Sequence, residues 1–204
     1  MKIFRLTNKQ ARFAVIAGIV MLVLLFIDQI TKAWAAAVAA EIAGSQFKAD
    51  NVGVVLSDWF LGIIRLNYIT NPGMAFSWFS DNTAAMVAVT VLTIVMIIGI
   101  AVAFFALSKL SAPAQMCLAI IEAGAIGNLI DRLYMGCVRD FLDISPLRFG
   151  ICNPADFYIS LGAVALLIII LFVGPTSMFP ATKKWREEAK RIEAEKKKKK
   201  QGNS

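Results

Sequence analysis

Four apolar stretches decide what this chain can become. Residues 13–36, 83–107, 113–133 and 154–174 are each long enough to cross a bilayer's hydrocarbon core of ~30 Å, which takes ~20 helical residues. In lipid the backbone must satisfy its own hydrogen bonds, so such segments fold as helices. The whole chain agrees: 58% of its 204 residues are hydrophobic and the mean hydropathy is +0.69, too apolar for an ordinary soluble domain. The expected fold class is an all-α membrane protein of four transmembrane helices with a small extracytoplasmic β-sheet. Residues 1–182 form one integral membrane domain and residues 183–204 a basic tail.

Charge sets the expected topology. The net charge of +7 is mostly a tail effect, because residues 183–200 hold ten Lys/Arg against four Glu. A basic run placed directly after a span suits an anchor facing anionic lipid better than a nucleic-acid site; the run at 196–200 taken alone is an ordinary solvated end. Helix formers over 185–195 predict a frayed helix on the inner surface. Lys2, Arg5, Lys9 and Arg12 precede the first span, and Lys109 sits between the second and third, whereas the other two loops are mixed in sign. The positive-inside rule then places both termini in the cytoplasm and both longer loops outside. The first span has a basic start and small residues at 35–40, like a signal peptide, but it continues through Asp28-Gln29-Ile30-Thr31-Lys32 and is expected to be retained.

The longer outer loop, about residues 37–82, is rich in β-formers over 59–69. It predicts a small sheet on the membrane–water boundary, with Trp59, Phe60, Trp78 and Phe79 as interfacial anchors. Asn71-Pro72-Gly73 is a turn signal. Cys117, Cys137 and Cys152 are expected as free thiols, with a Cys137–Cys152 disulfide left open. The chain has no histidine and no Cys-x-x-Cys pair, so no zinc site is expected.

Depth along the helices sorts the polar residues. At ~1.5 Å per residue, Asp28 and Lys32 lie ~22 and ~28 Å into the first span, and Asn128, Asp131 and Arg132 lie ~22 to ~28 Å into the third. Asn153 and Asp156 begin the fourth span from the outside, and Asn71 precedes the second on that side. The expectation is a single outer polar layer, with inner halves free of carboxylates. Asp28 and Lys32 stand at i, i+4, the favourable order for a helical ion pair, which fits a structural pair as well as a substrate contact. Gly124 and Gly127 permit close helix approach, so Asp131 is expected to pair across helices, and Asp131 and Arg132 to be mainly structural. Asn153-Pro154-Ala155-Asp156 has the form of a helix start, with Asn at the N-cap, Pro at the first position and an acid in the first turn.

Asp140, in Val138-Arg139-Asp140-Phe141, has no such explanation and is expected in a loop that brings it back to Asp156. Two carboxylates in contact cannot both ionise easily, so one holds a proton and the two divide acid and base roles. The dipole at the start of the fourth span favours a charged Asp156, which leaves Asp140 as the resting proton holder.

Five motifs, in order, resemble the lipoprotein signal peptidases, the type II signal peptidases of bacteria. They are Asp28-Gln29-Ile30-Thr31-Lys32, Asn71-Pro72-Gly73-Met74-Ala75-Phe76, Gly127-Asn128-Leu129-Ile130-Asp131-Arg132, Val138-Arg139-Asp140-Phe141 and Asn153-Pro154-Ala155-Asp156. The resemblance implies an intramembrane aspartic endopeptidase of the bacterial inner membrane. Its activity is to remove the signal peptide from diacylglyceryl-modified prolipoproteins, cutting before the lipidated cysteine. It implies Asp140 and Asp156 as the catalytic pair. Asn71, Gly73, Asn128, Arg132, Asn153 and Ala155 bind substrate or support the pair, and Asp28, Lys32 and Asp131 are structural. It implies no cofactor and no metal. Partners would be the prolipoprotein, membrane lipid and a globomycin-type inhibitor, with no nucleic acid and a monomeric enzyme. Met74 stands where that family usually has a small residue, and the tail is unusually basic. A four-span proton-coupled transporter or a structural subunit would also place polar residues in a bundle, but transport needs a path to both faces.

Overall fold

A computed structural model of the chain describes residues 8–44, 53–59, 64–72, 83–106, 111–144, 150–174, 177–179 and 181–201. In chain order these form α1 (Asn8–Ala43), β1 (Val54–Trp59), β2 (Ile64–Asn71), α2 (Thr83–Ala106), α3 (Ala112–Met135), β3 (Val138–Asp143), β4 (Ile151–Cys152), α4 (Pro154–Phe172) and α5 (Lys183–Gln201). Among the described residues three helical stretches are long and apolar enough to cross a membrane: Arg12–Ala43, Ala112–Met135 and Pro154–Phe172. Helix α2 carries a shorter apolar stretch, Met86–Val102.

Helix α3 is the hub. It is 61% buried over its apolar window, against 11% for α1 and α4, and it packs on α4, α1 and α2. Missing side chains let the helices close: a Cβ on Gly162 of α4 would lie 2.7 Å from Ile121 Cγ1, and a Cβ on Gly124 of α3 would strike the Ala155 carbonyl oxygen. The outward faces of α1 and α4 keep large apolar side chains exposed, among them Phe26, Leu22, Leu161 and Leu167, as lipid-facing surfaces require. Helix α3 ends on Gly136, whose φ of 71° allows its N–H to reach the Arg132 carbonyl.

Helix α1 runs past the expected residue 36. Its 36 residues span ~54 Å, well beyond the hydrocarbon thickness. The extra length supports the sheet: Ala35 and Ala39 pack beneath Tyr68 of β2 and Phe141 of β3. The sheet is antiparallel in the order β1-β2-β3-β4. The expected small sheet is therefore present, and larger than residues 59–69 alone suggested.

Two expectations are corrected. Asp140 does not lie in a loop; it sits in β3, opposite Ile69 of β2. The strand reads Val-Arg-Asp-Phe-Leu-Asp, and its burial does not alternate cleanly because Asp140 and Phe141 are both buried, so the period of two is blurred. Glu122 breaks the single polar layer, standing half-buried ~15 Å along α3, with buried Gln115 nearer the start of the helix. Gly73, Met74, Phe60, Trp78, Phe79 and Lys109 lie outside the described residues.

Candidate active site

Where α1, α3, β2, β3 and the start of α4 converge, five elements bury polar side chains against one another. Asp28, Lys32 and Asn153 are fully buried, and Asp131 and Asp140 nearly so. Groups of this kind hold only when every charge has a partner.

In a lower layer each charge meets an opposite charge, and Arg139 Nε is the one atom of these side chains that is buried without a hydrogen bond among the described residues. Lys32 Nζ lies 3.0 Å from Asp28 Oδ2, the i, i+4 pair expected, and 3.4 Å from Asp131 Oδ2, so Asp131 does pair across helices. Asp131 also binds Arg139, accepting from its guanidinium and, at 3.0 Å, from its backbone N–H. Arg139 Nη2 donates to Gln29 Oε1 at 3.0 Å, and Gln29 Nε2 donates to Asp28 Oδ2 at 2.9 Å. Two acids and two bases thus close a neutral ring. Arg139 and Gln29 stood inside the quoted motifs, but nothing in their local sequence marked them as ring members. The ring reaches α4 directly, since Asp28 Oδ1 accepts the Ala155 N–H at 3.1 Å. Gly127 makes room for it, because a Cβ there would overlap Asp28 Oδ2.

The upper layer carries the two remaining carboxylates. Asp156 lies in the first turn of α4 within a complete capping box: it accepts the Asn153 N–H at 3.1 Å, and its own N–H donates to Asn153 Oδ1 at 3.3 Å. Its other oxygen accepts from Asn128 Nδ2 at 2.9 Å. Lys32 Nζ donates to Asn128 Oδ1 at 2.9 Å, which turns the amide's NH2 toward Asp156. Asp140 accepts from Asn153 Nδ2 at 2.6 Å on one oxygen and from Asn71 Nδ2 at 3.0 Å on the other. Asn153 therefore contacts both carboxylates. Arg132 lies within electrostatic reach of Asp156, Asp140 and Asp131, and donates to the Asn128 carbonyl at 3.5 Å.

These surroundings act on Asp140 in opposite senses. Burial, then the Asp156 charge, push its pKa up to about 6, while the Asn153 and Asn71 amides pull it back. Burial likewise pushes the Cys152 thiol up to about 12, with help from the charges of Asp156, Asp140 and Asp143. A thiol held that high supplies no nucleophile at neutral pH. Cys117, Cys137 and Cys152 are thiols and form no disulfide. The site thus holds two carboxylates bound to one asparagine, an arrangement of the kind that general acid–base chemistry uses.

The structure brings together Asp140, Asp156, Asn71, Asn128, Arg132, Asn153 and Ala155, with Asp28, Lys32 and Asp131 beneath them. Gly73 lies outside the described residues.

Known proteins match this chain along most of its length. Residues 20–172 match the family model described as Signal peptidase (SPase) II. The Lipoprotein signal peptidase of Trichormus variabilis (strain ATCC 29413 / PCC 7937) is 34% identical over 152 residues, covering 74% of this chain and 87% of that protein. The Lipoprotein signal peptidase of Streptococcus pyogenes serotype M6 (strain ATCC BAA-946 / MGAS10394) is 33% identical over 151 residues, 74% of this chain and 89% of that protein. A bacterial membrane enzyme solved by the in meso method at 2.3 Å superposes with a TM-score of 0.58 at 23% identity, covering 78% of this chain and 87% of the other. A second, at 1.9 Å, gives 0.57 at 22% identity, covering 84% and 97%. The two superpositions speak for the fold alone.

Proposed function

The chain belongs to the signal peptidase II family, and from that premise we propose that Asp140 and Asp156 are its catalytic pair. The enzyme is a membrane protease that removes signal peptides from prolipoproteins. In the finer reading it cuts before a cysteine already bearing diacylglycerol. The observation that carries the pair is Asn153: its side-chain amide donates to Asp140 and its backbone N–H to Asp156, which binds the two carboxylates to one residue.

The chemistry follows from that pairing. Asp156 stands at a helix N-terminus, where an anion is favoured, and it serves as base. Asp140, whose pKa is raised to about 6, is the acid, and the minor fraction of enzyme that carries its proton at neutral pH is the competent form. A water between them gives one proton to Asp156 as its oxygen attacks the scissile carbonyl carbon. When the C–N bond breaks, Asp140 passes its proton to the departing amine, and proton transfer from Asp156 back to Asp140 restores the resting state. Asn71, Asn128, Arg132, Asn153 and Ala155 support the pair or hold the substrate backbone, as does Gly73. Asp28, Lys32 and Asp131 keep the layer beneath rigid.

Helix α2 crosses the membrane as a fourth span, both termini are cytoplasmic, and the pair lies near the outer leaflet of the bacterial inner membrane. Residues 1–182 are the peptidase and residues 183–204 an appended tail. The enzyme works as a monomer, needs no cofactor and is inhibited by globomycin-type cyclic peptides. The deciding experiment is a gel-shift assay of a diacylated prolipoprotein with wild type, Asp140→Asn and Asp156→Asn. Wild type is expected to cleave and each variant to lose about a thousandfold or more. Cleavage by both variants would remove the pair from the mechanism.

A further inference from the structure

The chain leaving α4 doubles back on it. The Met178 N–H donates to the Ile170 carbonyl at 3.1 Å, Phe179 N–H to Leu171 at 2.7 Å and Ala181 N–H to Phe172 at 3.1 Å. These acceptors are the terminal carbonyls that a helix leaves without internal donors. The Phe179 ring packs on Phe172 at a centroid distance of 6.4 Å. Thr182 then starts α5, accepting the Trp185 N–H on Oγ1 at 3.2 Å and the Arg186 N–H on its carbonyl at 3.1 Å. Helix α5 is thus held at the level where α4 leaves the apolar layer.

Around that point apolar and basic groups lie side by side. Met178 and Phe179 are 66% and 60% exposed although both are apolar. Along α5, Trp185, Ala189 and Ile192 recur at spacings of four and three, and so share one helical face. The same spacing continues to Lys196 and Lys199 in the sequence. Lys183, Lys184, Arg186, Lys190 and Arg191 are exposed around the face. Among the described residues the main packing joins α1, α2, α3, α4 and the sheet rather than α5, which lies beyond residues 20–172, the stretch that carries the family match.

We propose that Met178, Phe179 and the Trp185–Ala189–Ile192 face form a docking surface for an anionic lipid bilayer, on the leaflet where α4 ends. The apolar face is short and binds a bilayer weakly by itself; attraction between the net +6 of residues 183–200 and lipid phosphates supplies the rest. A nucleic acid would use the same charge but would leave Met178, Phe179 and Ile192 in water, which is why the bilayer is the occupant the surface fits. This surface is independent of the peptidase chemistry.

The test is hydrogen–deuterium exchange of the full-length protein in nanodiscs of phosphatidylglycerol and of phosphatidylcholine. Amides over 185–192 are expected to exchange about tenfold more slowly in the anionic lipid, and the contrast is expected to vanish near 1 M salt, where the Debye length is about 3 Å. Replacing the five lysines at 196–200 by Gln, or Ile192→Asp, is expected to remove the protection while prolipoprotein cleavage in phosphatidylcholine is unchanged. Equal exchange in the two lipids overturns the proposal. So does protection conferred by added RNA in phosphatidylcholine with no contrast between lipids.

Discussion

Asp140 carries a carboxyl that its surroundings keep from ionising at the usual value. Burial and the neighbouring Asp156 charge raise it to about 6 against the restraining pull of two amides. Asp156→Asn removes the second of those raising causes, so the Asp140 midpoint is expected to fall below about 6 in that variant. A carboxyl 13C NMR titration reads it directly, and a midpoint that stays or rises would contradict the coupling. The same shift bears on stability. The folded pKa lies above the unfolded 3.8, so the native state binds more protons between about 3.8 and 6, and stability falls as pH rises through that window. The full difference corresponds to ~3 kcal/mol, as an order of magnitude. Asp140→Asn removes the titrating group and is therefore expected to flatten the decline, while losing cleavage. Thermal melts in detergent from acid to neutral pH would show it, and parallel curves would rule it out.

At the scale of elements, local chemistry was readable and long-range contact was not. Asn153-Pro154-Ala155-Asp156 announced its helix start because a cap is built from four consecutive residues, and the box is complete. Asp28 and Lys32 announced their pair through i, i+4 spacing. Strand β3 stayed hidden, since Asp140 and Phe141 are both buried and erase the alternation. Nothing local could reveal that Lys32 aims the Asn128 amide at Asp156, across 96 residues of chain. The interface that holds these groups depends on the absence of side chains. Gly124→Ala would drive a methyl into the Ala155 carbonyl oxygen and to 2.9 Å from Ile159 Cγ1, forcing the first turn of α4 off α3. Overpacking of this kind costs ~1–3 kcal/mol, and the cleavage rate is expected to drop about tenfold or more as Asp156 leaves Asn128. Gly99→Ala is the control: a Cβ there meets nothing within 4 Å, and both melting point and rate are expected to hold. A Gly124→Ala enzyme with wild-type kinetics would show that α3 and α4 separate without moving the pair.

For the whole molecule, hydropathy located the helices because bilayer thickness fixes their length. It did not foresee that α1 continues past residue 36 to seat the sheet, since the alanine-rich stretch that does so resembles membrane sequence. Glu122 also resisted the simple layered picture. The crossing of α2 decides the parity of the chain. If it crosses, alkaline phosphatase fused at residue 53 is active outside the cell, and a fluorescent reporter fused after residue 201 lights up inside. Reporters showing residues 8 and 201 on opposite faces would mean that α2 does not span. Asn153, finally, gives the molecule a built-in threshold. One residue caps α4 and holds Asp140, so the proposed pair exists only while the first turn of α4 is wound. Fraying of that single turn takes the Asn153 partner from both carboxylates at once, leaving Asp140 on Asn71 and Asp156 on Asn128 alone. The fraction of competent enzyme is then set by a local helix–coil equilibrium, and conditions that loosen helix ends lower activity long before the bundle itself unfolds.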